Sequence, residues 1–142
     1  MLNDQQPGSG LYTYRSLLND PDITKEFNDL QFGLGNLQIN ISEAGVLSGR
    51  IYDTGWELKL SGCAQSGNPA TLWFQGSGTV GGAPWIYEYL CYRVPHIPNG
   101  VAQIPSLVGS VIRVIPHPNG SGGISPAGVV CSFYAVLQAL KQ

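Results

Sequence analysis

Turn-forming residues recur roughly every 8–12 residues from about position 30 onward, and this spacing most restricts what the chain can fold into. Between the turns lie short segments in which apolar and polar residues alternate, the period of two that is typical of half-buried β-strands. In the clearest segment Trp56, Leu58 and Leu60 fall on one face, and the two charged residues between them fall on the other. The pattern therefore predicts consecutive antiparallel strands joined by short turns.

About eight strands follow from this pattern, and they suggest an all-β, antiparallel up-and-down barrel. A short helical segment is predicted near residues 21–28, where Pro21 suits a first helical position and acidic residues come early. Residues 1–10 are predicted to be a flexible lead-in, and residues 11–142 a single barrel domain. An immunoglobulin-like sandwich is the main alternative, although the Cys…Trp…Cys frame of that fold is missing. The predicted strands are 11–18, 37–42, 46–53, 56–62, 71–80, 85–94, 107–116 and 127–140.

This architecture resembles the calycins, the class of lipocalins and avidins, and the related allene-oxide-cyclase barrels. The resemblance is architectural, because the first strand lacks the lipocalin Gly-x-Trp signature and no avidin-like biotin-site pattern is present. No functional residue is therefore carried over from these families. Because an eight-stranded barrel is about the size that holds side chains or one small ligand, the resemblance implies small-molecule binding.

Charged residues are scarce and scattered. They make up 11% of the chain, with a net charge of −2, against roughly a quarter in an average soluble domain. Without a basic patch, nucleic acid is not expected as a partner. A membrane partner is not expected either, because no apolar run approaches the roughly 20 residues of a membrane helix. The start of the chain has no basic and apolar signal segment, so a cytoplasmic location is predicted.

The strand at 85–94 has two faces that both favour burial. Because side chains alternate across a strand, five residues share each face. Low charge and two buriable faces predict that one face meets the barrel interior and the other meets a second subunit, as in a homo-oligomer. The two faces are Trp85, Tyr87, Tyr89, Cys91 and Arg93, and Ile86, Glu88, Leu90, Tyr92 and Val94.

Aromatic and arginine residues on the predicted strands are the candidates for a ligand site. Aromatic rings supply apolar walls, and an arginine anchors a carboxylate or enolate. The competing interpretations are core or interface packing for the rings, and structural ion pairs with Asp53, Glu57 or Glu88 for the arginines. The predicted ligand-binding residues are Trp73, Trp85, Tyr87, Tyr89, Arg93 and Arg113.

Evidence for catalysis in the sequence is weak. His96 has a side chain suited to act alone as a general acid or base, and Arg93 and Tyr89 are further weak candidates. His96 and His117 occur in the near-repeat Pro-His-(Ile)-Pro-Asn-Gly. Antiparallel neighbouring strands would place them at opposite ends of the barrel, so no metal site is expected. No cofactor motif or nucleophile motif is present, and three widely spaced cysteines indicate buried apolar positions rather than disulfides.

Taken together, these features predict a homo-oligomeric β-barrel that binds a small, largely apolar or aromatic molecule. A barrel enzyme of the cyclase or isomerase type, acting on a small hydrophobic substrate, is an alternative. A structural or assembly subunit with a filled barrel is another.

Overall fold

The computed structural model describes residues 7–139, which form a closed antiparallel β-barrel of eight strands. The barrel follows chain order and closes by pairing of the first strand with the last, so the predicted fold class is confirmed. A two-stranded hairpin, β8 and β9, lies between the seventh barrel strand and the last. Within residues 7–139, no helix is long and apolar enough to cross a membrane. The strands are β1 Gly10–Leu18, β2 Gln31–Ile41, β3 Val46–Asp53, β4 Trp56–Gln65, β5 Thr71–Val80, β6 Ala83–Val94, β7 Ser106–Arg113, β8 His117–Pro118, β9 Ile124–Ser125 and β10 Val130–Ala139.

The helical segment predicted near residues 21–28 is reduced to one 3-10 turn over Phe27–Leu30. The carboxylate of Asp20 accepts a hydrogen bond from the backbone N–H of Asp22, at 2.8 Å. Asp22 does the same for Thr24, at 3.0 Å. These local turns give the backbone an alternative to helical hydrogen bonds, which explains why the helix does not form.

Alternation along the strands sends one set of side chains into the barrel. In β6, Tyr87, Tyr89 and Cys91 are buried, whereas Leu90 and Tyr92 are exposed on the outside. The face of β6 that starts with Trp85 is therefore the one that meets the interior. The other strands contribute mostly aliphatic side chains to the same core, among them Leu37, Ile39, Leu47, Ile51, Leu60, Leu72, Leu107 and Val111.

Two glycines allow neighbouring strands to pack closely. A Cβ atom at Gly62 would lie 2.0 Å from the carbonyl oxygen of Trp73, and one at Gly109 would lie 2.0 Å from that of Leu90. Side chains at these positions would collide with the backbone of the adjacent strand. The close approach suits the strong curvature that closing an eight-stranded barrel requires.

The barrel has two ends, which we call the Tyr87 end and the Arg93 end after residues near the start and finish of β6. At the Arg93 end, Tyr12 Oη donates to the carbonyl oxygen of Gly8 at 2.7 Å. The hydroxyl of Ser9 accepts from the backbone N–H of Ile41 at 2.9 Å. This part of the predicted lead-in therefore packs onto the barrel, and residues 1–6 lie outside the described residues.

The Tyr87 end carries the β8–β9 hairpin. The sequence pattern predicted a flexible turn at residues 117–123, but β8 and β9 pair there, with His117 opposite Ser125. β7 ends at Arg113 rather than at the predicted position 116. The chain then turns inward, and the His117 side chain is buried.

Candidate ligand-binding site at the Tyr87 end

An aromatic plug fills the middle of the barrel, and we define it as Tyr14, Phe74, Tyr89 and Phe133. Phe74 and Tyr89 stack with ring centroids 4.8 Å apart, and Tyr14 lies 5.4 Å from Phe133. Tyr89 meets Tyr14 and Phe133 edge-on at 6.2 and 5.8 Å. The contacts among these four buried rings make this part of the barrel interior a packed core.

A cavity of about 290 Å³ opens at the Tyr87 end, and we call it the Tyr87 cavity. Residues of β1, β2, β3, β4 and β6 surround it, and two plug residues, Tyr14 and Tyr89, belong to its wall. Most of the lining is aromatic or aliphatic. The lining residues are Tyr14, Ser16, Gln31, Phe32, Gly33, Leu34, Ile51, Trp56, Leu58, Trp85, Tyr87 and Tyr89.

A chain of buried hydrogen bonds supports the wall of this cavity. Arg113 Nε donates to Tyr87 Oη at 2.9 Å, and Tyr87 Oη lies 2.8 Å from His117 Nε2. His117 Nδ1 lies 2.9 Å from the carbonyl oxygen of Pro118, to which it can only donate. The neutral imidazole therefore carries its proton on Nδ1, and Nε2 accepts a hydrogen bond from the Tyr87 hydroxyl. We call this arrangement the Tyr87 hydrogen-bond chain.

Ring stacking and cation–π contacts fix the chain in place. Trp85 stacks on the imidazole of His117 at 3.9 Å with nearly parallel planes. The guanidinium of Arg113 lies 4.9 Å above the centre of the Phe32 ring and donates to the carbonyl oxygen of Pro126 at 3.1 Å. Arg113 is 9% exposed, and within the described residues it has no carboxylate partner. The ion pair predicted for it with Asp53, Glu57 or Glu88 does not form.

Burial and the arginine act in opposite directions on the Tyr87 phenol. Burial raises its pKa, and the hydrogen bond and charge of Arg113 offset part of that rise. Burial also raises the pKa of Tyr89, whose hydroxyl makes no hydrogen bond to the residues that the structure describes. Tyr87 is therefore the cavity tyrosine whose hydroxyl is polarised by a cation.

Two polar groups of the cavity wall have no partner. Ser16 Oγ and Trp85 Nε1 are buried, and neither makes a hydrogen bond within residues 7–139. Ser16 is fully buried. Its hydroxyl is close enough to Tyr14 to offset part of the burial-induced rise in the pKa of that phenol. The two hydroxyls nevertheless do not meet in hydrogen-bond geometry, so Ser16 Oγ has no hydrogen-bond partner among the described residues.

The predicted site residues separate into three places. Trp85, Tyr87 and Tyr89 line the Tyr87 cavity, with Arg113 directly behind Tyr87. Trp73 lies on the outer surface, 46% exposed, so it shares no wall with them.

Arg93 lies at the opposite end, where it lines a second cavity of about 260 Å³ with Ile41, Glu43 and Leu72. His96 follows it on an exposed loop and donates from Nδ1 to the carbonyl oxygen of Gln103 at 3.0 Å. The expected separation of the two histidines is confirmed, because β6 and β7 are antiparallel neighbours. Among the described residues, no group of three or more potential metal ligands comes together.

The sequence patterns do not identify Ser16 and Phe32 of the cavity lining, or His117 of the Tyr87 hydrogen-bond chain, as site residues. Trp56 is predicted to share the apolar face of its strand but not to belong to a site. A usable signal was the burial-prone face of the first strand, where Tyr12, Tyr14 and Ser16 alternate with more polar residues.

The fold and the cavity together define an eight-stranded, all-antiparallel barrel with a buried aromatic cluster and a polar hydrogen-bond chain at one end. Comparison with protein-family models, with curated proteins and with solved structures gives no match for this chain.

Proposed function

We propose that this protein is a homo-oligomeric barrel that binds a small, largely aromatic molecule in the Tyr87 cavity. The observation that carries the proposal is an aromatic-walled cavity beside a fixed polar chain, in a barrel whose centre is otherwise packed. Apolar walls with a few placed polar groups are the usual form of a small-molecule site. The architectural resemblance to the calycins is consistent with this function.

The cavity volume limits the ligand. At about 290 Å³ it is about twice the roughly 150 Å³ of an engineered protein cavity that binds benzene. A single aromatic ring with a polar substituent fits within that volume, whereas a long-chain lipid or a tetrapyrrole would extend beyond it.

The three tryptophans allow a direct test, because their indole N–H groups give separate signals in a ¹H–¹⁵N spectrum. Trp56 and Trp85 line the cavity, and Trp73 lies outside. Titration with indole or toluene should shift the first two signals and leave the third unchanged. Native mass spectrometry of the freshly purified protein would show any retained molecule. No retained molecule and no shift with any aromatic probe would instead favour a structural subunit with a filled barrel.

The Tyr87 hydrogen-bond chain favours one alternative, a barrel enzyme of the cyclase or isomerase type. A phenol polarised by Arg113 and hydrogen-bonded to His117 is suited to move a proton to or from a bound substrate. The weak catalytic candidates His96 and Arg93 lie at the other end and do not contribute to this geometry. Under this alternative, Tyr87→Phe would abolish conversion of the retained molecule while binding persists; a pure binder shows no conversion at all.

The outer face of β5, β6, β7 and β10 carries the proposed subunit contact. We call it the apolar outer face; Leu90 is 56% exposed there, and Trp73, Tyr92 and Tyr134 are also exposed. The strand register makes these exposed residues one continuous patch. Trp73 pairs with Leu90 across β5 and β6. Val108 of β7 pairs with Tyr92 on one side and with Tyr134 on the other. Among the outward-facing residues of these four strands, Glu88 is the only charged one.

A second copy of this chain is the occupant that fits this face. Four strands about 4.8 Å apart and about eight residues long cover roughly 500 Å² in projection, and side chains increase the accessible area. That approaches the roughly 800 Å² per partner of a standard interface, and low charge is typical of obligate contacts.

Light scattering coupled to size-exclusion chromatography tests the contact. Leu90→Lys should convert the oligomer to monomer. Val46→Lys, an equally exposed apolar position on the outside of β3, should not. A wild-type protein that is already monomeric at tens of micromolar would contradict the proposed contact.

A further inference from the structure

The Tyr87 cavity is unusual in the kind of polar group that it presents. Ser16 Oγ and Trp85 Nε1 are buried without partners among residues 7–139, and the indole N–H is only a donor. Buried polar groups in proteins are nearly always hydrogen-bonded. Two such groups without partners in the wall of one cavity therefore suggest that a molecule bound there forms hydrogen bonds with them. A partner for the indole N–H must offer an acceptor atom, and an acceptor of the same kind can also take a hydrogen bond from the Ser16 hydroxyl.

The charge around the cavity points in the same direction. Arg113 is buried, and among the described residues its guanidinium donates hydrogen bonds to the Tyr87 hydroxyl and the Pro126 carbonyl, both neutral. The cavity lining contains no aspartate or glutamate. Buried charges are normally balanced by an opposite charge, and here no protein group in the cavity wall supplies it.

Strand register explains why the charge is left unbalanced. Tyr87 lies directly opposite Arg113, whereas Glu88 lies opposite Ile112 and faces outward. The nearest carboxylate in the sequence of β6 is thus on the wrong side of the sheet.

We propose that the Tyr87 cavity takes a small aromatic carboxylate, whose oxygens accept hydrogen bonds from Ser16 and Trp85 and whose charge balances Arg113. The inference rests on the proposed function, since it names the ligand class of the same cavity. The ring lies among the aromatic walls, and the carboxylate lies on the buried, electropositive side. Arg113 acts behind Phe32 and Tyr87, as a source of positive potential.

Four monocyclic probes of similar size separate the effect of the ring from that of the polar group and its charge: benzoate, benzamide, toluene and benzylamine. Calorimetry or the tryptophan N–H titration should give benzoate at least about tenfold tighter binding than benzamide. Toluene should bind more weakly still, and benzylamine weakest. Benzoate should also move the Trp85 N–H signal downfield, as a new hydrogen bond does.

Substitutions of Ser16, Arg113 and Arg93 test where the carboxylate binds. Ser16→Ala should weaken benzoate about tenfold and leave toluene unchanged, with Ser61→Ala on the outer surface as the matched control. Arg113→Lys should keep most of the preference for benzoate over benzamide, and Arg113→Met should remove it. Arg93→Met changes the cavity at the other end of the barrel and should not change the affinity for benzoate.

The outcomes separate this inference from the proposed function. If toluene binds as tightly as benzoate, or benzylamine binds best, the carboxylate inference is wrong and the aromatic site stands. If only Arg93→Met weakens benzoate, the anion site lies at the Arg93 end and the inference is wrong. If no probe binds at all, the proposed function fails with it.

Discussion

Replacing Tyr87 with phenylalanine should be far more costly than its small size suggests. The change keeps the ring and its packing but removes one oxygen that serves two buried groups, Arg113 Nε at 2.9 Å and His117 Nε2 at 2.8 Å. A hydrogen bond to a charged group contributes about 1.5–3 kcal/mol, and a neutral one about 1 kcal/mol. Since both partners remain buried and unpaired, we expect the free energy of unfolding to fall by about 2–4 kcal/mol.

Tyr89 provides the matched control, because it lies on the same face of the same strand and is equally buried. Its hydroxyl makes no hydrogen bond to the described residues, so Tyr89→Phe should change the free energy of unfolding by less than about 0.5 kcal/mol. Urea unfolding at pH 7 and one fixed protein concentration measures both variants. With an m-value of roughly 2 kcal/mol/M, the urea midpoint of Tyr87→Phe should fall by about 1–2 M.

A double-mutant cycle completes the test. Arg113→Met removes the charged donor, so combining it with Tyr87→Phe should cost less than the sum of the single changes, by about 1.5–3 kcal/mol. Equal costs for Tyr87→Phe and Tyr89→Phe, together with strictly additive effects in the cycle, would refute the claim that Tyr87 holds two buried partners.

Three further predictions concern the core. Burial raises the pKa of the Cys91 thiol from its ordinary value of 9.0 to about 12. Above pH 9 the unfolded chain loses this proton and the folded barrel keeps it, so stability falls as pH rises from 9 toward 12. By pH 10 the Cys91 contribution to this loss is about 1.4 kcal/mol, so between pH 7 and pH 10 urea unfolding should show a loss smaller by that amount in Cys91→Ala than in Cys63→Ala, which changes a surface thiol. Phe74→Ala should lower the free energy of unfolding by about 3–5 kcal/mol, since Phe74 is fully buried in the plug; a change below 1 kcal/mol in the same urea assay would contradict the packed centre. Gly109→Ala should prevent barrel formation, seen as loss of the folded circular-dichroism spectrum, because its Cβ meets a β6 carbonyl oxygen; Gly55→Ala, at an open turn, should still fold.

The barrel was predictable because its signals are local. The alternation at Trp56–Leu60 identifies a strand, and the regularly spaced turns show where strands end; each signal is contained in a few neighbouring residues. Eight short strands joined by tight turns can form a closed sheet in few ways. The short helical segment predicted near residues 21–28 is limited to the 3-10 turn Phe27–Leu30 for a local reason as well. Asp20 and Asp22 are suited to a helix start, but they are equally suited to turns in which the carboxylate accepts a backbone hydrogen bond. The segment also has no apolar face whose packing would stabilise a helix.

The site was less predictable because it depends on which face points inward. Trp73 and Phe74 are adjacent aromatic residues, and composition alone cannot tell which one enters the barrel. The same holds for Tyr89 and Leu90 in β6. Pairing with the neighbouring strands decides the question: Tyr89 lies opposite Phe74 on one side and Val111 on the other, and all three side chains are buried. That information is spread over strands far apart in the chain.

Register also connects the failed ion-pair prediction to the proposed ligand. A shift of one residue between β6 and β7 would turn Glu88 inward beside Arg113 and send Tyr87 outside. The barrel interior would then contain an ion pair between Glu88 and Arg113, and the carboxylate would balance the charge of the arginine without a bound anion. In the observed register the acid faces outward, and the interior keeps a buried cation, a polarised phenol and two unpaired donors. The feature that made the arginine partner unpredictable from sequence is therefore the same feature that makes an aromatic carboxylate the expected ligand.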